Sequence, residues 1–121
     1  MNKKILIGSI ITICILIGVS STSALVVNNR PPDKPIITGP LKVKPGDYDW
    51  RFNAKDPEGD NVSYEIKWGD GTQEGWIGPF ESNISIVFNH TYYDIGYVGI
   101  RARAKDVYGA IGNWSSIIVR I

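Results

Sequence analysis

Residues 62–68 read Val62-Ser63-Tyr64-Glu65-Ile66-Lys67-Trp68, with an apolar residue alternating with a polar one at every step. Successive side chains of a β-strand point to opposite faces of the sheet, so this alternation predicts a strand with one buried face. The tight-turn sequence Gly69-Asp70-Gly71-Thr72 follows directly and predicts a hairpin. Upstream, Tyr48–Lys55 alternates in the same way and predicts a second half-buried strand.

From residue 36 onward the chain consists of short apolar segments separated by glycine, proline and aspartate, and no helical period is present after residue 27. Such spacing is typical of antiparallel β-sandwiches. We therefore predict an all-β fold for residues 36–121, an immunoglobulin-like antiparallel β-sandwich of about seven strands. The other predicted strands are Ile36–Val43 with a break at Gly39-Pro40, Gln73–Ile77, Ile84–Phe88, Tyr97–Asp106 and Ile117–Ile121.

The alternating strands also predict which residues share a core. The inward positions are Trp50, Phe52, Tyr64, Ile66, Trp68, Val98 and Ile100. If Val62–Trp68 pairs with Tyr97–Asp106, the outward Glu65 faces Arg101 or Arg103 across the two strands.

The first 24 residues have the composition of a targeting segment. Lys3 and Lys4 precede an apolar run of 15 residues that ends at Val19, and the small residues 20–24 follow. This pattern is typical of a signal peptide cleaved after Ala24. The alternative is an uncleaved membrane anchor over residues 5–27, because a spanning helix needs about 20 apolar residues. Either interpretation predicts a secreted or cell-surface protein whose only membrane contact is this segment.

The composition of the exported part limits what it can bind. Residues 25–35 are polar and proline-rich and predict an extended linker. The single cysteine, Cys14, lies in the apolar run, so the exported part has no disulfide and depends on its core. Without residues 1–24 the chain has 11 basic and 12 acidic residues, a net charge of −1, and no basic run. Binding of nucleic acid or another polyanion is therefore not expected.

Five short motifs occur in order along the exported part. They are Asp56-Pro57-Glu58-Gly59-Asp60, Trp68-Gly69-Asp70-Gly71-Thr72, His90-Thr91-Tyr92, Gly96-Tyr97-Val98 followed by Ile100, and Asp106-Val107-Tyr108-Gly109. Together they resemble PKD-type domains, the immunoglobulin-like repeats named after polycystin. The resemblance covers residues 35–121 and implies an extracellular or cell-surface β-sandwich without catalytic residues that serves binding, adhesion or spacing. Two features depart from the pattern, a glycine at Gly99 and a block at Asn113-Trp114-Ser115 that resembles fibronectin type III domains.

The acidic loop is the one candidate metal site. Asp56, Glu58 and Asp60 alternate within it, and Asp106 or Asp70 could add a further carboxylate. Calcium needs about 6–8 oxygen ligands, more than this loop alone supplies. Aspartate and glycine are also ordinary turn-forming residues. We therefore expect no cofactor, with calcium at Asp56, Glu58, Asp60 and Asp106 as the alternative.

Catalysis has little support in the sequence. His90 is the only histidine, and we interpret it as a packing residue beside Tyr92 at the start of a strand. One histidine and no exported cysteine leave zinc too few of its usual ligands. The only pair of carboxylates that could serve an enzyme is Asp56 with Asp60, so no enzymatic activity is expected.

The remaining candidate residues concern surface recognition. Trp76 and Phe80 flank the Gly78-Pro79 break, and we interpret both as interior residues, with stacking on a carbohydrate ligand as the alternative. The sequence thus predicts a non-enzymatic interaction, adhesion or spacer module, or alternatively a carbohydrate-binding module, whose partner is a cell-surface protein or glycan. Four sequons permit N-glycosylation of an exported protein, at Asn61, Asn83, Asn89 and Asn113.

Overall fold

The computed structural model describes residues 28–121. The predicted signal peptide or anchor lies outside the described residues. Within residues 28–121, no helix is long and apolar enough to cross a membrane. These residues form seven strands: β1 (Ile36–Thr38), β2 (Gly46–Asn53), β3 (Val62–Lys67), β4 (Gln73–Phe80), β5 (Ile86–Tyr92), β6 (Tyr97–Asp106) and β7 (Ser115–Arg120).

The strands form two antiparallel sheets, which confirms the predicted all-β sandwich. One sheet has three strands in the order β1-β2-β5, and the other has four in the order β4-β3-β6-β7. In the four-stranded sheet, Val62 of β3 lies opposite Asp106 of β6, and Lys67 lies opposite Arg101. This register places Glu65 opposite Arg103, as the alternation predicted.

The core lies between the sheets and is rich in aromatic side chains. Six of the seven predicted core residues are buried, and Val98 is half-buried against them. The ring centre of Trp68 lies 5.9 Å from that of Trp50 and 6.0 Å from that of Phe52, so the hairpin after β3 is packed against β2. The backbone N–H of Ala54 donates a 2.8 Å hydrogen bond to the buried Tyr64 hydroxyl, which satisfies the polar end of that ring.

The break at Gly39-Pro40 moves the chain from one sheet to the other. Ile36–Thr38 pairs with β2, whereas Lys42 forms a parallel bridge with Arg120 of β7. A Cβ atom at Gly39 would lie 2.3 Å from the Trp50 ring, so only glycine fits at this crossing. The predicted strand over 36–43 is therefore a three-residue strand followed by a crossing segment.

Strand β4 is longer than predicted because Gly78-Pro79 does not end it. A proline is tolerated here since β4 is an edge strand. Tyr64 lies opposite Ile77 and Val62 lies opposite Phe80, so two steps along β3 match three along β4. A second irregularity lies between Tyr64 and Ile66, because Ile66 lies opposite Glu74. Each irregularity changes which side of the sheet the following side chains face.

Four other strands also differ from their predicted bounds. Strand β2 spans Gly46–Asn53, two residues earlier at each end than the predicted Tyr48–Lys55, and β3 ends at Lys67, one residue before the predicted end at Trp68. Strand β5 runs from Ile86 to Tyr92, past the predicted end at Phe88, so His90 and Tyr92 lie within a strand and not at its entrance. Strand β7 begins at Ser115 and ends at Arg120, slightly earlier than predicted at both ends.

The proline-rich segment before β1 contacts the sandwich from Asn29 onward. The N–H of Asp33 donates to the Lys55 carbonyl at 2.9 Å. Pro35 is buried, and its carbonyl accepts a hydrogen bond from the Ser115 hydroxyl. Residues 29–35 are therefore held against the domain at the end where β6 finishes.

Candidate functional site

Asp56 is the buried centre of the acidic loop. Its side chain is 1% exposed, although an aspartate at a turn is usually solvated. Its Oδ2 accepts hydrogen bonds from the backbone N–H groups of Glu58 and Asp60, both at 3.0 Å. Its Oδ1 is buried and has no hydrogen-bond partner among residues 28–121. Oδ2 therefore stabilises the turn, whereas Oδ1 can accept a hydrogen bond from another donor or bind a cation.

Three further carboxylates, those of Glu58, Asp60 and Asp106, lie near Asp56. Asp56, Glu58 and Asp60 each offer one oxygen, and these three oxygens lie within 4.8 Å of one another. Burial raises the pKa of Asp56, and the negative charges of Asp60 and Asp106 raise it further, against the lowering effect of the two backbone hydrogen bonds. The loop therefore concentrates negative charge around a poorly solvated group.

The N-terminal segment supplies polar groups to the same place. Arg30 binds Glu58 through its Nε at 2.9 Å from Oε2 and its backbone N–H at 3.0 Å from Oε1. The Asn29 side-chain amide donates to Asp106 Oδ2 at 2.8 Å, while its own Oδ1 is buried without a partner among the described residues. Two orphaned oxygens, from Asn29 and Asp56, thus lie at one end of the sandwich.

These residues fit a calcium ion by donor type. Carboxylate and amide oxygens are the ligands calcium takes, and an unpartnered buried carboxylate oxygen is stabilised by a cation. Asp106 lies at this end, as the sequence suggested, and its Oδ1 also accepts hydrogen bonds from Tyr108 N and Ala110 N. Asp70 lies beyond the other end of β3, beside His90, so the suggested contribution of Asp70 to the site is wrong.

The opposite end of the sandwich carries a histidine–aspartate pair. His90 Nε2 lies 2.8 Å from Asp70 Oδ2, and the imidazole stacks on the buried Trp68 ring at 4.4 Å with an interplanar angle of 2°. Burial of Asp70 opposes ionisation, but hydrogen bonds from Thr72 and His90 outweigh it and lower the pKa of Asp70. The buried Tyr92 hydroxyl donates to the Trp68 carbonyl at 2.6 Å.

This pair is not arranged as a catalytic relay. A relay needs one imidazole nitrogen on the orienting carboxylate and the other beside the nucleophile. Here a single atom, His90 Nε2, faces both Asp70 and, at 3.4 Å, the Thr72 hydroxyl. The Thr72 hydroxyl itself donates to Asp70 Oδ1. The group therefore stabilises the Gly69–Thr72 turn, in agreement with a packing role for His90.

The outer face of the four-stranded sheet carries a row of cations and indoles that we call the outer ladder. Lys105 and Arg103 lie over the Trp76 ring, 4.6 and 5.5 Å from its centre. Over the Trp114 ring, Arg103 lies at 4.6 Å, Arg101 at 4.7 Å and Lys67 at 5.2 Å. The outer ladder thus consists of Lys67, Trp76, Arg101, Arg103, Lys105 and Trp114.

The interior interpretation of Trp76 is therefore wrong, and the irregularity between Ile77 and Phe80 is the reason. Trp76 and Phe80 would share a face in a regular strand, but the extra residue between their positions separates them. Phe80 is half-buried against Tyr64 and Phe88, with ring centres 6.2 and 6.1 Å away, and does not face a ligand. Of these two residues, only Trp76 lies on the outer face of the sheet.

The sequence analysis does not predict the outer ladder, although the alternating cations that form part of it are visible in the sequence. Arg101, Arg103 and Lys105 occupy alternate positions of a correctly predicted strand, so they share one face. A search for contiguous basic runs does not detect cations that alternate with inward residues.

The four sequon asparagines, Asn61, Asn83, Asn89 and Asn113, are all exposed, and their glycosylation stays a prediction.

Comparison with known proteins gives matches only among solved structures, since no protein-family model and no curated protein matches this chain. The chain is similar to the PKD domain of an M14-like peptidase from Thermoplasmatales archaeon SCGC AB-540-F20, with 40% identity and a TM-score of 0.75 over 77% of this chain and 97% of that one.

Two further solved structures share the fold. The PKD1 domain of Vibrio cholerae metalloprotease PrtV has 17% identity and a TM-score of 0.54, over 74% of this chain and 95% of that one. The PKD1 domain of Vibrio anguillarum Epp has 18% identity and a TM-score of 0.53, over 78% and 96%. The first two belong to peptidases, but the matching part is in each case the PKD domain, a non-catalytic module. With 40% identity over nearly all of the archaeal domain, this chain belongs to the PKD domain family.

Proposed function

We propose that the domain is a spacer and interaction module of an exported protein. The observation that carries the spacer role is that Asn29 and Ile121 lie at opposite ends of the sandwich. Asn29 contacts Asp106 at the last residue of β6, whereas Ile121 exchanges backbone hydrogen bonds with Gly96, just before the first residue of β6. The ten residues of β6 therefore separate the two ends. At about 3.3 Å per residue, that separation is roughly 30 Å.

A distance measurement tests the spacer role. Spin labels on cysteines at Asn28 and Arg120, both exposed, with Cys14→Ser to remove the native thiol, report the end-to-end distance by pulsed electron resonance. We expect a narrow distribution near 30 Å, because Arg120 and Asn29, the neighbour of the labelled Asn28, both form hydrogen bonds with the sandwich. A broad distribution, or one centred below about half that value, would contradict a rigid spacer.

We also propose, in place of the expectation from the sequence that no cofactor is bound, that calcium binds at the end of the sandwich where Asn29 and Arg30 contact it. The supporting observation is the buried, unpartnered Oδ1 of Asp56 among the carboxylates of Glu58, Asp60 and Asp106. A cation there would relieve their mutual repulsion and fix the segment at Asn29 and Arg30 against the sandwich. Calcium would then stiffen the point at which the preceding segment joins the module.

Thermal melting with excess calcium and then with a chelator tests the calcium proposal. A ligand at a hundredfold excess over its Kd stabilises the folded state by about 2.7 kcal/mol. For a domain of this size, we expect the melting temperature to rise by roughly 10 °C. Asp60→Asn should abolish the rise, whereas the control Asp94→Asn, at an exposed site outside the acidic loop, should retain it. A rise below about one degree in the unsubstituted protein would refute the proposal.

We propose a secreted or cell-surface location on the basis of the N-terminal segment. Support comes from the Lys3-Lys4 head, the apolar run and the small residues that end at Ala24. N-terminal sequencing of the protein recovered outside the cell is expected to begin at or near Leu25. An intact Met1 would instead indicate the anchor.

The carbohydrate-binding alternative has weaker support. Phe80 is packed inside the sandwich, and the ring of Trp76 is already in contact with Arg103 and Lys105. Sugar rings stack on open aromatic faces, and these faces are occupied. A glycan array on which binding disappears with Trp76→Ala would restore this alternative.

A further inference from the structure

The outer ladder concentrates positive charge that the rest of the domain lacks. Four cations and two indoles cover the middle of the four-stranded sheet, and Glu65 is the one carboxylate in contact with them among the described residues, 2.6 Å from Arg103 Nε. The exported part as a whole has a net charge of −1, so this face is opposite in sign to the average. A complementary partner must carry negative charge.

The indoles hold the cations in place. Flexible Lys and Arg side chains lose rotamer freedom when they bind a partner, which weakens binding. Contacts with Trp76 and Trp114 restrict Arg101 and Arg103 before any partner arrives, and the Glu65 contact fixes Arg103 further. Arg103 keeps its terminal Nη groups for a carboxylate, because the Glu65 contact is made by Nε.

The spacing of the cations identifies the kind of anion. Arg101, Arg103 and Lys105 alternate along β6, so they repeat every two residues, at about 6.6–6.8 Å. Same-side residues of an extended polypeptide repeat at the same distance. An extended segment with a carboxylate at every second position would therefore match the ladder cation for cation.

We propose that the outer ladder binds an extended acidic peptide segment, with carboxylates at alternate positions paired to Arg101, Arg103 and Lys105. This inference rests on the proposed interaction role and names its partner class. The peptide crosses the outer face through side-chain contacts, with its carboxylates on the guanidinium and ammonium groups. Alternation distinguishes this partner from a generic polyanion, since the matched repeat is that of an extended chain.

Fluorescence anisotropy with the full chain in a mild nonionic detergent tests the proposal. The probe is a labelled 12-residue peptide that alternates glutamate and serine, at low salt where such contacts are strongest. The reference probe is its isomer with the six glutamates in one block. We expect the alternating peptide to bind more tightly than the isomer. Arg101→Glu should weaken its binding by about tenfold or more, because it replaces an attraction with a repulsion.

The matched control is Arg51→Glu, an exposed arginine on β2 of the other sheet, which should leave binding unchanged. The melting temperature of each variant is measured alongside, and Arg101→Gln serves if Arg101→Glu does not fold. Equal binding of the two peptides, binding insensitive to Arg101, or no peptide binding would each overturn the proposal. Arg101-dependent binding of a heparin-type sulfated oligosaccharide without peptide binding would also overturn it, in favour of an anionic glycan. If the peptide does not bind, the measurement of the 30 Å end-to-end distance still tests the spacer role independently.

Discussion

The four tryptophans of this chain form two contrasting pairs. Trp50 and Trp68 are buried between the sheets, where they contact each other and the rings of β2 and β5. Trp76 and Trp114 lie on the outer face of the four-stranded sheet and contact cations. Tryptophan thus packs in the apolar core on one side of the sheet and forms cation–π contacts on the other. We expect stability to depend mainly on the first pair and recognition on the second.

Removal of an inner tryptophan should have the largest effect. Trp68→Ala leaves a cavity against Trp50 and Phe52 and is expected to lower the free energy of unfolding by about 3–5 kcal/mol. That loss would unfold a small domain of ordinary stability. Chemical denaturation followed by circular dichroism measures it. A variant that melts within a degree or two of the unsubstituted protein would show that Trp68 does not belong to the core.

Substitution of Asp70, in the turn that follows Trp68, should have a smaller effect on the free energy of unfolding, and this effect should depend on pH. The folded state lowers the pKa of Asp70 below its usual value of 3.8, so the folded protein binds that proton less readily. The stability from Asp70 is then present above that value and is lost as the pH falls through the lowered pKa. Asp70→Asn should cost about 1–2 kcal/mol near neutral pH, because hydrogen bonds to a charged group are lost.

Melting curves from about pH 6 to about pH 2 check this prediction. The difference between the unsubstituted protein and Asp70→Asn should shrink at the acid end. The raised pKa of Asp56 acts with the opposite sign, but it is present in both proteins and does not enter their difference. A difference that is constant with pH would mean that Asp70 acts without its charge.

Removal of an outer tryptophan should cost less than removal of an inner one. Trp114→Ala loses contacts with three cations at a half-buried site, and we expect about 1 kcal/mol. Trp114→Phe retains a ring and should recover part of this loss. A loss for Trp114→Ala as large as that for Trp68→Ala would remove the distinction between the two pairs.

The smallest effect is expected for the ion pair within the outer ladder. Arg103 and Glu65 lie 2.6 Å apart with side chains that are 30% and 17% exposed. A double-mutant cycle with Glu65→Gln and Arg103→Gln should give a coupling of about 0–1 kcal/mol. A coupling of several kcal/mol would make the outer face a source of stability comparable to the core. Repulsion between the two would contradict their pairing.

Regular alternation is the feature that sequence reading captured best. Strand β6 was predicted with its observed bounds, because its inner positions from Val98 to Ala104 are apolar at every second residue. The sequence predicts that β4 ends at Ile77, because Gly-Pro interrupts most strands. The observed strand continues to Phe80, since proline is tolerated when the strand lies at a sheet edge. Edge position is a property of the assembled sheet, and the sequence does not contain it.

The candidate sites show the same limit. The sequence predicts the cluster of Asp56, Glu58 and Asp60 because these residues lie within one five-residue loop. The contributions of Asn29 and Arg30 depend on how the preceding segment folds back against the domain, which no local pattern encodes. The outer ladder joins residues of β3, β4 and β6 with a tryptophan that precedes β7, and the face of Trp76 depends on the irregularity opposite Tyr64.

Two-dimensional NMR of the indole N–H groups tests the division between the two pairs most directly. The chain has four tryptophans, so four side-chain signals report on the core and on the outer face at once. On titration with the alternating glutamate–serine peptide, we predict that the signals of Trp76 and Trp114 shift while those of Trp50 and Trp68 stay in place. Shifts of the inner pair alone, shifts of all four signals, or no shift at all would contradict the assignment of recognition to the outer face.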